Sequence, residues 1–145
     1  MHQHETIREL IGNIPVADLQ RRTHPDKWSA FENIAHLAAY QHVFIIRLNR
    51  IGQESCPAFD RYVAENDPLF PGFLNTSLPA LLDDIDHRRA LIFSMLEDGG
   101  EALLAKTGLH PRYGLLTVKQ WTEFFLLHEA HHLFTLFQLL ADLHI

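Results

Sequence analysis

The sequence predicts an all-α protein, a four-helix bundle with one long crossover connection. Three observations carry this. Helix-start signatures recur along the chain, and apolar residues between them follow helical spacing. No segment alternates apolar and polar residues convincingly enough to be a half-buried strand.

The first helix is expected over 6–22, opened by Thr6 with Glu9 and bent or broken near Pro15. That pair has capping-box spacing, in which a hydroxyl accepts from one orphan backbone N–H and a Glu or Gln side chain reaches back to another. A second box, Ser29 with Glu32, opens a helix over 29–51 that Gly52 should end. The segment 53–75 holds Pro57, Pro68, Pro71 and Gly72 among aromatics and reads as the irregular crossover. Ser77 caps a third helix over 78–98, with Pro79 tolerated in its first turn and Gly99-Gly100 as its stop. The stretch 101–116 is expected to carry at most one short helical turn. Thr117 with Gln120 opens the fourth helix, over 117–143.

In the third helix Leu78, Leu81, Leu82, Ile85, Ile92 and Leu96 form one stripe, with Asp83, Asp84 and Arg88 elsewhere. The fourth helix, from Trp121 and Phe124 to Leu139 and Leu140, is apolar in nearly every direction. Such a helix seeks burial on all sides, which 145 residues can hardly provide. A homodimer that covers part of it is therefore expected.

At this length one domain, 1–145, is expected, burying roughly 70% of its extended-chain surface. A net charge of −6 and 12 scattered Lys and Arg argue against a nucleic-acid partner. No run reaches the ~18–20 apolar residues of a membrane span. The opening MHQHETIREL lacks the layout of a signal peptide. A single cysteine, Cys56, excludes an intrachain disulfide. The cytoplasm is the expected compartment.

The 11 histidines nearly equal Lys plus Arg in number, and histidine is the commonest metal ligand. Residues 128–132 read His-Glu-Ala-His-His within the apolar fourth helix. His128 and His132 lie about 40° apart around the axis and ~6 Å apart along it, so both rings can reach one cation. Simple core packing would leave their ring nitrogens without partners, which is costly. The pair with Glu129 also matches the zincin pattern H-E-x-x-H, in which Glu is the general base. However, Thr135 and Gln138 stand where the extended metzincin form needs Gly and His. A third ligand must come from upstream, and His36 is the candidate, one turn into the second helix among apolar neighbours. Helical spacing puts Glu32, Tyr40, Val43 and Arg47 on its side. Three histidines leave coordination positions open, as in catalytic sites. Metal should then be lost below pH ~6.

The run Lys27-Trp28-Ser29…Glu32…His36-Leu37, the long crossover and His128-x3-His132 together resemble the DinB-like (DinB/YfiT) superfamily over essentially the whole chain. The resemblance implies a four-helix bundle, usually homodimeric, with a zinc- or nickel-type divalent ion on His36, His128 and His132. Several such proteins are transferases of low-molecular-weight thiols such as bacillithiol or mycothiol, and one branch isomerises maleylpyruvate. A metal-dependent thiol S-transferase is thus the leading expectation, with a small-molecule thiol and an electrophile as substrates. A metal makes a bound thiol a thiolate, which is the nucleophile. Tyr40 and Arg47 are candidates to orient the thiol's carboxylates or the leaving group. Two alternatives are a non-catalytic metal-binding bundle and a zincin-type hydrolase using Glu129.

The other candidates read as ordinary. His131 should sit outside the ligand set, Glu129 should face away from the ion, about 100° around the helix from His128, as a solvated or interface carboxylate, and His87 should pair with Asp83. Asp83, Asp84 and Asp86 should form a solvated acidic face. His42 is placed outward, His24 and His110 in loops, and His2, His4 and His144 near the termini. Cys56 has no neighbouring base and is read as incidental.

Overall fold

The computed structural model describes residues 2–143. Its helices are α1 (Thr6–Ile11), α2 (Val16–Gln20), α3 (Ala30–Gln53), α4 (Phe70–Leu74), α5 (Leu78–Leu104) and α6 (Val118–Leu143). Two short strands, β1 (Thr107–His110) and β2 (Gly114–Thr117), precede α6. α1 and α2 together supply the first limb of the four-helix bundle. The expected break is present: α1 ends at Gly12, whose φ of 48° suits glycine, and Pro15 sits at the N-cap of α2.

Local chemistry explains most helix starts. Both halves of the Ser29–Glu32 box form, and Arg22 grips the Glu32 carboxylate from outside. Thr117 and Gln120 make the same reciprocal pair, and Ser77 accepts from the Ala80 N–H. The Thr6 box does not form, because a 3-10 turn over Gln3–Glu5 already places Glu5 in helical geometry.

Three expectations on helix ends and strands are overturned. Gly52 lies inside α3, and α5 continues past Gly99 to Leu104 with a kink at Gly100, whose φ is 54°. Leu103 and Leu104 pack against the core beyond that kink, so burial resumes the helix. Residues 107–116, expected to carry at most one short helical turn, form with Thr117 an antiparallel hairpin pairing Thr107 with Thr117 and His110 with Gly114. Tertiary contacts hold it. Trp121 donates its indole N–H to the Gly108 carbonyl, and the Phe59 N–H donates to Leu109. Gly108 is required there, since a Cβ would lie 2.9 Å from Phe59 and 3.0 Å from Ile51.

α3 is the central element, packed against α2, α4, α5 and α6. The core divides along it. One apolar cluster uses Ala30 to Ala39 of α3 with Leu133, Leu136 and Leu140 of α6. The other uses Tyr40 to Ile51 with Val118, Trp121 and Phe125. α6 is covered on one side only, leaving Leu127 (71%), Phe134 (61%) and Phe137 (56%) exposed. Among the described residues no helix is long and apolar enough to cross a membrane.

The cap that starts α3 also starts the segment carrying His36. Ser29→Ala should lower unfolding free energy by ~1 kcal/mol, read as a shift in urea midpoint at unchanged slope.

Candidate metal centre

His36 on α3 meets His128 and His132 of α6 in the gap between the two apolar clusters. The Nε2 atoms of His36 and His128 are 3.2 Å apart, and one ligand nitrogen from each of the three lies within 4.8 Å of the others. Two nitrogens on one tetrahedral zinc ion, each ~2.0–2.1 Å from it, stand about 3.3 Å apart. The cluster therefore has the spacing an ion needs.

Orientation and protonation suit a metal as well. Asn33 donates through Nδ2 to the Ser29 carbonyl, so its Oδ1 faces His132 Nδ1 at 2.9 Å. That places the His132 proton on Nδ1 and leaves Nε2 as the donor atom. His36 and His128 each bury an Nδ1 that has no partner among the described residues. Burial first, and then the neighbouring histidines, push His36 to about 3, His128 to about 2 and His132 to about 4. All three are neutral at pH 7, the form that binds a cation. Burial therefore moves proton competition for this site to lower pH than ordinary histidines would give. The expectation of release below pH ~6 assumed ordinary histidines, and these shifts move it downward.

The histidines open onto a cavity of about 600 Å³. Trp28, Tyr40 and Tyr62 surround the rings, with centroids 5.1 Å from Trp28 to His36, 4.0 Å from Tyr40 to His128 and 5.8 Å from Tyr62 to His36. The crossover and the β-hairpin build the outer walls.

The sequence profile of the DinB superfamily matches residues 2–136. This chain belongs to the DinB superfamily. Its structure is similar to that of YfiT from Bacillus subtilis, with a TM-score of 0.70 at 17% identity over 95% of this chain and 79% of that one. YfiT is described as a probable metal-dependent hydrolase with an unusual four-helix bundle topology. At that identity the likeness carries the fold. No curated protein matches the sequence significantly.

In this DinB-superfamily chain both sequence candidates beside the histidines reach the cavity. Arg47 donates to the Tyr40 hydroxyl at 3.3 Å and to the Asp60 carbonyl at 3.1 Å. Burial raises the Tyr40 phenol, opposed by Arg47.

Glu129 faces away from the histidines, as its place about 100° around the helix from His128 predicts, but it is not solvated. It is 1% exposed and accepts from Arg89, Gln41 and Gln3 on the far side of α6. It turns away from the histidines, so it does not serve as base to an ion between His128 and His132. The expectation of a solvated carboxylate failed because its partners come from three distant segments.

Other assignments changed too. His110 lines the cavity, and its Nδ1 accepts from the Arg112 and Tyr113 N–H groups, which puts the ring proton on Nε2. His87 and Asp83 are both exposed, but Asp83 pairs with Arg8. Asp84 pairs with Arg88 and Asp86 with Arg8, so the acidic face is bridged. His4 is buried beside Asp86. His131 and Cys56 are exposed, and His144 lies outside the described residues. Tyr62, Asn33, Arg61 and Arg112 gave no recognisable signal in the sequence.

Two outcomes test this arrangement. Below pH 6.5 the unfolded chain's histidines take up protons that the folded site refuses, so unfolding free energy must fall as pH falls. Urea midpoints of metal-free protein should drop from pH 6.5 to 5, with a shallower drop in His128→Leu. Glu129→Ala leaves Arg89 buried without its carboxylate and should cost about 3–5 kcal/mol in the same assay.

Proposed function

We propose that this protein is a metal-dependent enzyme that joins the sulfur of a small thiol to an electrophilic carbon. The observation that carries this reading is the set of three neutral histidines, one buried and two half-buried, facing a cavity large enough for a small-molecule ligand. A divalent ion bound there supplies the Lewis acidity that converts a coordinating thiol to its thiolate at neutral pH.

The chain's own residues do the rest. His36, His128 and His132 would hold the ion beside the cavity that they line. Asn33 fixes the His132 ring. Trp28, Tyr40 and Tyr62 limit water around the reacting sulfur. In the reaction the thiol proton passes to solvent, the S–C bond forms, and the leaving group departs with the electron pair of the broken bond. Zinc and nickel both accept three imidazoles.

A second reading, metal-dependent hydrolysis, is favoured by the description of YfiT. Here the same ligands would activate water instead of a thiol. Glu129 is unavailable to it as a base, so any base would come from the cavity lining.

The test begins with protein purified without a nickel column. Elemental analysis should find near-stoichiometric metal, lost in His128→Ala and His132→Ala and kept in His87→Ala. Loaded protein should then accelerate conjugation of a small thiol to monochlorobimane, and His132→Ala should abolish that acceleration. Turnover of p-nitrophenyl acetate without conjugation would establish the hydrolytic reading. Metal retention with neither reaction would count against both and leave a metal-binding bundle.

A further inference from the structure

The chain carries a net charge of −6, yet the cavity in front of the histidines is lined by three arginines, Arg47, Arg61 and Arg112, and by one carboxylate, Glu65. None of the three arginines takes part in an ion pair among the described residues. This matters most for Arg47, which is 93% buried. A buried cation without a counter-ion is costly unless something supplies the missing charge.

The guanidinium of Arg47 is also held in place. It lies 5.2 Å from the Trp121 ring, 5.6 Å from Phe59 and 5.9 Å from Tyr40. Its two hydrogen bonds go to neutral oxygens and leave most of its five N–H donors uncommitted. Arg61 comes from the crossover and Arg112 from the turn of the hairpin, so three separate segments bring cations to one space.

We propose that the cavity takes a substrate bearing an oxyanion, a carboxylate or a phosphate, which Arg47, Arg61 and Arg112 hold while another atom of the substrate reaches the histidines. The planar fork of arginine matches either oxyanion in bidentate fashion. The inference deepens the enzymatic reading of this cavity and rests on it for the far end of the ligand. It assigns Arg47 as the internal counter-ion of the substrate, with Arg61 and Arg112 as attracting groups at the mouth.

Calorimetric titration of metal-free protein at low ionic strength tests the subsite without the metal. The ligands are succinate, inorganic phosphate and succinamide, the last keeping the size of succinate without its charge. Succinate or phosphate should bind at least roughly ten-fold more tightly than succinamide. The tighter of the two names the oxyanion. Arg61→Gln and Arg112→Gln should each weaken that binding several-fold, and Arg47→Gln should abolish it. Arg61 and Arg112 are exposed, so their variants remain informative if Arg47→Gln fails to fold. Neither succinate nor phosphate binding more tightly than succinamide, or affinity unchanged in both exposed variants, would overturn the proposal.

A second titration separates this proposal from the enzymatic reading. Cobalt-loaded protein is titrated with mercaptosuccinate and with thioglycerol, following the thiolate-to-cobalt absorption band. Mercaptosuccinate should give the band at about ten-fold lower concentration than thioglycerol, an advantage lost in Arg112→Gln. Succinate binding that depends on the arginines, with no thiolate band from either thiol, would sink the thiol reading and leave the oxyanion subsite standing. A band of equal affinity for both thiols would do the reverse.

Discussion

The structure depends on keeping three neutral histidines inside a bundle whose core is otherwise apolar. They occupy a polar layer between two hydrophobic clusters, where α3 and α6 pass each other. On the opposite side of α6 the same layer holds Glu129 against Gln41 and Arg89. Neighbouring residues of one helix thus serve opposite faces. His128 looks into the cavity, and Glu129, 100° around the axis, ties α6 to α3 and α5. Gln41 sits on the helix that carries His36, so this tie sets the rotation of α6 relative to the third histidine. A twist of α6 that misplaced His128 would also strip a buried carboxylate of its partners.

Charge is arranged to match. Burial and mutual proximity keep the three rings unprotonated, which relieves the bundle of a triply cationic centre. The positive charge of the site comes instead from arginines a little further out. One of these, Arg47, is fixed between aromatic faces where a flexible cation would otherwise find water. The cavity is therefore net positive at its walls and neutral at its floor.

Much of this was legible where the causes are local. Ser29 and Glu32 announce the start of α3 because their chemistry acts over three residues, and His128 with His132 share a face because the helix repeats every 3.6. His36 could be picked out because it stands among apolar neighbours close to that cap. What escaped the sequence is what distant segments create. Glu129 looks like a surface residue until Gln3, Gln41 and Arg89 are placed around it, at separations of 126, 88 and 40 residues. The hairpin escaped because Trp121, Phe59 and Ile51 hold it, and no pattern along 107–117 records them. Arg61 and Arg112 escaped for the same reason, and with them the electrostatic character of the cavity.

The crossover and the hairpin are joined to one another by the backbone bonds around Leu109, which pair it with Pro57 and Phe59. The walls of the cavity thus form a unit of their own, set over a floor that belongs to the long helices. Such a division separates tolerance from demand. Exchanges among the exposed wall residues can retune what enters, one substitution at a time, while the ligand frame beneath keeps its geometry. The scaffold is well suited to change what its cavity admits faster than the three-histidine floor beneath it.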